Sequence, residues 1–183
     1  KTLTGAAIPV LLGCALAYIF GKFQPVPALL CFLFAFLMQT DANFINDLYD
    51  YLKGTDREDR LGPERACAQG WITPAGMKRG IAVTTLLACC VGLGLLSYGG
   101  WIPVGLACVV FAFLYTAGPY PLAYHGWGDV LVLIFFGFVP VGCTFYVMAH
   151  SWNTAVFVVS LACGLIIDTL LMVNNFRDRE QDA

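Results

Sequence analysis

Residues 26–50 read VPALLCFLFAFLMQTDANFINDLYD. The stretch opens on an apolar run, and a helix that crosses a bilayer needs about 20 mostly apolar residues. It then turns polar with no helix breaker, so one helix is expected to carry acids out of the membrane. At roughly 100° per residue, Gln39, Asn43, Asn46, Asp47 and Asp50 share one face, and Asp41 points the other way.

The rest of the chain fits the same setting. Of its 183 residues, 59% are hydrophobic and 12% charged, with a mean hydropathy of +0.75. A soluble domain carries about 25% charge, and a chain this short cannot hide so much apolar surface in one water-soluble core. The expected fold is all-α, a polytopic transmembrane bundle forming one membrane domain over residues 1–183. Six spans are expected, at about 3–21, 26–46, 80–98, 102–118, 129–149 and 153–175. The first apolar run, Ile8 to Phe20, lacks a small-x-small cleavage site and reads as a span, not a signal peptide.

Charge fixes the orientation. The long loop 51–79 holds six of the ten basic residues: Lys53, Arg57, Arg60, Arg65, Lys78 and Arg79. The positive-inside rule places it in the cytoplasm. Alternation then puts Lys1, the loop 119–128 and the tail 177–183 on that side too, leaving Lys22 outside. Thr73-Pro74 reads as an N-cap followed by proline at the first helical position. Gly13, Ala17 and Gly21 recur every four residues, a pattern of close helix packing. The eight cysteines include no Cys-x-x-Cys pair and read as small packing residues, not a zinc site. Cys67, in the long loop, is expected to be open to a thiol reagent from the cytoplasm. No nucleic-acid partner is expected.

A second acidic stretch, Asn174-Asn175-Phe176-Arg177-Asp178-Arg179-Glu180-Gln181-Asp182, closes the sixth span. Asn174, Asn175, Asp178 and Asp182 share a face if the helix continues. Carboxylates at a helix C-terminus oppose the dipole, and two of them about 4 Å apart repel by roughly 4 kcal/mol at an effective dielectric near 20. A cation that neutralises them makes the arrangement tolerable. Hard oxygen ligands suit Mg²⁺, which binds through one or two carboxylates plus substrate phosphates. Both motifs follow even-numbered spans, so both face one side and can form one site. The bland alternative is a solvated, charged helix end. Arg60 and Arg65, bracketing the Gly62-Pro63 turn, are the preferred cations for a diphosphate, because Arg grips phosphate bidentately; Lys53 is a further candidate. His125 and His150 read as interfacial. Asp129 reads as a cap for the fifth span, and Asp168, inside the sixth, is a functional candidate by its burial in lipid.

These residues resemble the UbiA superfamily of intramembrane prenyltransferases, whose motifs Asn-Asp-x-x-Asp and Asp-x-x-x-Asp match Asn46-Asp47-x-x-Asp50 and Asp178-x-x-x-Asp182. The position four after Asp50 is Gly54 and the next acid is Asp56, which leaves open which carboxylate completes the first metal set. That spacing, with Arg60-Leu61-Gly62-Pro63-x-Arg65, Gly70-Trp71-Ile72-Thr73, Tyr115-Thr116-x-Gly118-Pro119 and Gly126-Trp127-Gly128-Asp129, is similar to the branch that prenylates 1,4-dihydroxy-2-naphthoate. The resemblance implies Mg²⁺ held by Asp47, Asp50, Asp56, Asp178 and Asp182. It implies a polyprenyl diphosphate donor and an aromatic acceptor that loses its carboxyl group, as in menaquinone biosynthesis. Asn43, Asn46, Lys53, Arg60, Arg65, Asn174 and Asn175 would bind substrate. Tyr115 matches a family tyrosine near the reacting end, so the implied catalytic set is Asp47, Asp50, Asp178, Asp182 and Tyr115. The implied setting is a bacterial inner membrane, with the site on the cytoplasmic side. Members have eight or nine helices, so the resemblance also implies that two or three more belong to the complete enzyme. Other readings are a different aromatic acceptor, an ion or proton transporter using Asp41, Asp129 and Asp168 as a relay, and a non-catalytic membrane subunit.

Overall fold

A computed structural model describes residues 2–54, 64–117, 122 and 127–178; for Thr116, Asn174, Asn175, Arg177 and Asp178 only the backbone is described. Every regular element in it is helical. In order they are α1 (Thr2–Ile19), α2 (Pro25–Lys53), α3 (Pro74–Leu96), α4 (Ile102–Thr116), α5 (Gly128–Val132), a π-helix (Leu133–Cys143), α6 (Thr144–Ala149) and α7 (Thr154–Asp178). Five of the helical stretches are long and apolar enough to cross a membrane, with α5, the π-helix and α6 acting as one continuous rod. The chain is therefore a multi-pass membrane protein. The expected count of six is one too high: α4 has 15 residues, about 22 Å at 1.5 Å per residue, against a hydrocarbon core of about 30 Å.

The helix ends follow local chemistry. Proline in the first turn starts α2, α3 and α4, where its missing N–H costs nothing. Thr73 caps α3 as its sequence announced, its Oγ accepting the Gly76 N–H at 3.1 Å. α2 runs 29 residues, well past the apolar segment, and stops at Gly54, whose φ of +73° suits glycine and whose N–H bonds back to the Asp50 and Tyr51 carbonyls. The fifth expected span holds the π-helix, with Pro140 inside it. Proline removes an intrahelical bond and crowds the preceding turn, and a wider i→i+5 pattern accommodates that.

Small residues let the helices approach. A Cβ on Gly13 would meet the Val141 carbonyl oxygen at 2.6 Å and Thr144 at 2.8 Å; one on Gly137 would meet the Ser160 oxygen at 2.6 Å. Gly13 and Ala17 thus act as their spacing implied, whereas Gly21 ends α1 in a turn at φ +65°. One apolar core joins α1, the π-helix, α6 and α7 around Val10, Ala17, Val141, Phe145 and Val156. A second, of Ile45, Leu48, Cys67, Met77, Ile81 and Ala117, lies beneath the acid-bearing end of α2. Cys67 belongs to it and is only 4% exposed, so the expectation that it would be open to reagents is wrong. Its residue type suited a core position, and the loop folds back to supply one.

Candidate functional site

The last turns of α2 place two carboxylates with different surroundings. Asp47 is buried, and both its oxygens receive backbone amides from the returning loop: Oδ2 from the Ala66 N–H at 2.8 Å, Oδ1 from the Cys67 N–H at 3.0 Å. Asp50 faces Arg65, with Nη2 and Oδ2 3.6 Å apart. At that distance the two groups attract each other without forming a bidentate clamp. Burial, then the hydrogen bond and charge of Asp47, pushes the Cys67 thiol from 9.0 up to about 11.

Around this pair the other expected residues take several roles. Asn43 donates to the Thr2 hydroxyl at 2.9 Å and lies 3.4 Å from Gln39 Nε2, so it also fastens α1 to α2. Asn46 is half-buried one position before Asp47, and Lys53 is exposed in the final turn of α2, where its charge suits the dipole. Asp56, Arg60 and Asp182 lie outside the described residues. The α7 backbone carries Asn174, Asn175 and Asp178 in its last turn.

Tyr115 joins the ends of three helices. Its hydroxyl lies 3.8 Å from where a Gly128 Cβ would be, and Leu171 of α7 packs on the same glycine. The charges of Asp129, Asp168 and Asp50 all act on that hydroxyl. The C-terminal ends of α2 and α4, the start of α5 and the last third of α7 therefore converge at one end of the bundle. Asp178 continues α7 seven residues beyond Leu171, about 10 Å along the axis. The structure thus brings Asp47, Asp50, Arg65 and Tyr115 together and directs the helix bearing Asp178 to the same end.

Among the described residues, no group of three or more His, Cys, Asp or Glu side chains is gathered tightly enough to hold a metal. The donor chemistry still fits a hard divalent cation. Asp50 supplies carboxylate oxygen, and Asp47 keeps a lone pair beyond its two amides and the Cys67 thiol.

Three features were not read from the sequence. Asp47 clasps the loop, which no spacing rule reveals because its partners are backbone amides about 20 residues on. Asp41 is fully buried and accepts the Thr84 and Thr85 hydroxyls of α3; the Thr-Thr pair was the available signal. Asp129 does not cap its helix, for the N-cap is Trp127; it is exposed in the first turn of α5. The transporter relay loses its first member, since the oxygens of Asp41 are turned to α3.

Comparison with known proteins gives the same direction. Residues 6–183 match the UbiA prenyltransferase family. The 1,4-dihydroxy-2-naphthoate octaprenyltransferase of Escherichia coli (strain K12) is 38% identical over 190 aligned positions, covering 100% of this chain and 62% of the relative. The protein of that name from Mycobacterium tuberculosis is 34% identical, covering 100% and 63%. The UbiA prenyltransferase domain-containing protein 1 of Rattus norvegicus is 31% identical, covering 95% and 52%. The chain thus spans less than two thirds of the length of these curated relatives. No solved structure matches it significantly.

Proposed function

The chain belongs to the UbiA prenyltransferase family, and from that premise we propose that the complete protein prenylates 1,4-dihydroxy-2-naphthoate. The donor is a polyprenyl diphosphate, the acceptor loses its carboxyl group, and the product enters menaquinone biosynthesis. The observation that carries this reading is the convergence of Asp50, Arg65 and Tyr115 at one end of an apolar bundle. The names of the relatives at 34–38% identity support the acceptor.

In this reading Asp50, with Asp47 and the α7 carboxylates Asp178 and Asp182, holds Mg²⁺ at the cytoplasmic face of a bacterial inner membrane; Asp56 is the candidate to complete the first set. Mg²⁺ supplies Lewis-acid neutralisation of the diphosphate as the allylic C–O bond breaks. Arg65, with Arg60 and Lys53, binds the diphosphate oxygens, and Arg does so with a planar fork. Asn43, Asn46, Asn174 and Asn175 orient the polar head. The apolar helix walls take the prenyl tail and keep water from the reacting carbon. Tyr115, held at the mouth of that apolar region, faces the acceptor.

The test is turnover by the full-length protein in membranes with octaprenyl diphosphate and Mg²⁺. The acceptors are 4-hydroxybenzoate and 1,4-dihydroxy-2-naphthoate labelled at the carboxyl carbon. The reading expects the naphthoate to be used, its label released as CO₂, and the benzoate to be used poorly. Preference for the benzoate, or a product that keeps its carboxylate, overturns the acceptor assignment.

A further inference from the structure

Asp168 is an acid in the wall of a membrane bundle. It is 8% exposed, and its Oδ1 is buried without a hydrogen-bond partner among the described residues. Leaving a buried polar oxygen unmatched costs about 1–3 kcal/mol, and ionisable groups within membrane helices are expensive enough to mark function. Its place in the fold is well defined. α7 runs antiparallel to the rod of α5 and the π-helix, with Gly164 against Leu133 and Leu171 against Gly128. Asp168 lies between those two contacts, opposite the first turn of α5, where its charge meets that of Asp129. The Tyr115 hydroxyl lies in the field of both.

We infer that the Asp168 carboxyl group is a recognition element for the aromatic acceptor, accepting a hydrogen bond from one of its ring hydroxyls across from Tyr115. The inference rests on the prenyltransferase reading above. Each part of the two substrates can be matched against this corner. The diphosphate is anionic and repelled by Asp129 and Asp168, and the basic side chains that suit it, Lys53 and Arg65, lie at the end of α2 and in the loop. The prenyl tail has no donor to offer. The acceptor's hydroxyls are the substrate groups that can satisfy a buried carboxyl oxygen. Depth agrees: Asp168 precedes Asp178 by ten residues, about 15 Å along the helix, which sets it on the apolar side of the second acidic motif, where the ring meets the prenyl chain.

The test compares Asp168→Leu and Asp168→Asn with wild type in the full-length protein. It uses 1,4-dihydroxy-2-naphthoate and its two mono-O-methyl ethers, and determines KM for acceptor and donor separately. A site built to pair a substrate hydroxyl rejects an analogue lacking it steeply. Wild type should therefore disfavour one ether by roughly tenfold or more in kcat/KM. Asp168→Leu should raise the acceptor KM and lose that discrimination, while the donor KM stays within about twofold, as expected where only the acceptor contact is removed. Asp168→Asn keeps the side-chain volume and one acceptor oxygen, and should retain part of the discrimination. Unchanged discrimination in both variants overturns the inference, as does an equal rise in both KM values. Absence of turnover by wild type with any hydroxylated aromatic acceptor overturns the prenyltransferase reading and the inference with it.

Discussion

Asp47 and Asp50 sit three residues apart on one face of α2, yet their surroundings assign them different work. Asp47 is buried and receives two loop amides, whereas Asp50 faces the Arg65 guanidinium at 3.6 Å. Asp47→Asn turns an N–H toward a loop amide and should cost about 1–3 kcal/mol of stability, visible as a lower thermal midpoint in detergent. Asp50→Asn should shift that midpoint by no more than about 1 kcal/mol but reduce turnover by roughly a hundredfold or more, as expected for an electrostatic catalytic group. Equal midpoints for the two variants would show that the clasp contributes nothing. Cys67, beside Asp47, gives a pH-dependent readout. Its thiol is raised to about 11, so at pH 8 about one molecule in a thousand is thiolate, and the thiolate is the reactive form. In a variant whose only cysteine is Cys67, alkylation should be slow at pH 8. Its rate should rise about tenfold per pH unit until near pH 11; a plateau near pH 9 would contradict the burial.

At the level of elements, the tightest seam is the one between α7 and the π-helix. Gly137→Ala would drive a methyl to 2.6 Å from the Ser160 carbonyl oxygen and 2.9 Å from the Gly164 Cα, both backbone atoms that cannot rotate away. Overpacking of this sort costs about 1–3 kcal/mol. Gly105→Ala, in the first turn of α4 with nothing within 4 Å of its new methyl, should be neutral or stabilise by up to about 1 kcal/mol through helix propensity. Unfolding midpoints of the two variants in the same detergent provide the comparison, and a Gly137→Ala protein as stable as wild type would remove the close-packed seam. The Gly13–Ala17 spacing and the Thr73-Pro74 start were legible in the sequence, because both are local signals with a fixed periodicity or position. The π-helix was not: residues 133–143 are apolar throughout, so no polar face records where the helical period changes.

Across the whole molecule, the apolar spans and the acidic end of α2 could be read from hydropathy and one-face spacing. The gathering of the ends of α2, α4, α5 and α7 could not, because it depends on which helices lie side by side. That gathering bears on topology. The C-terminal ends of α2 and α4 and the last third of α7 meet at one end of the bundle, and α4 reaches that end with only 15 residues. With Cys67 buried, orientation is better tested at exposed positions. In a cysteine-free background, Trp71→Cys, at a site 65% exposed, should react with a membrane-impermeant maleimide only in inside-out vesicles. Lys22→Cys should react only in intact cells. The reverse pattern would invert the protein in the membrane.

The bond between Asp41 and α3 also constrains how the chain is made. When the α2 segment leaves the ribosome, the Thr84 partner is still 43 residues away in the chain. At about 5–20 residues per second that gap lasts roughly 2–9 s. A lone aspartate at the centre of a helix opposes insertion by up to about 2.5–3.5 kcal/mol, and by less near the interface. The hairpin of α2 and α3, with both threonine hydroxyls turned onto the carboxylate, is the smallest portion of the nascent chain that can enter lipid with this acid already solvated by protein.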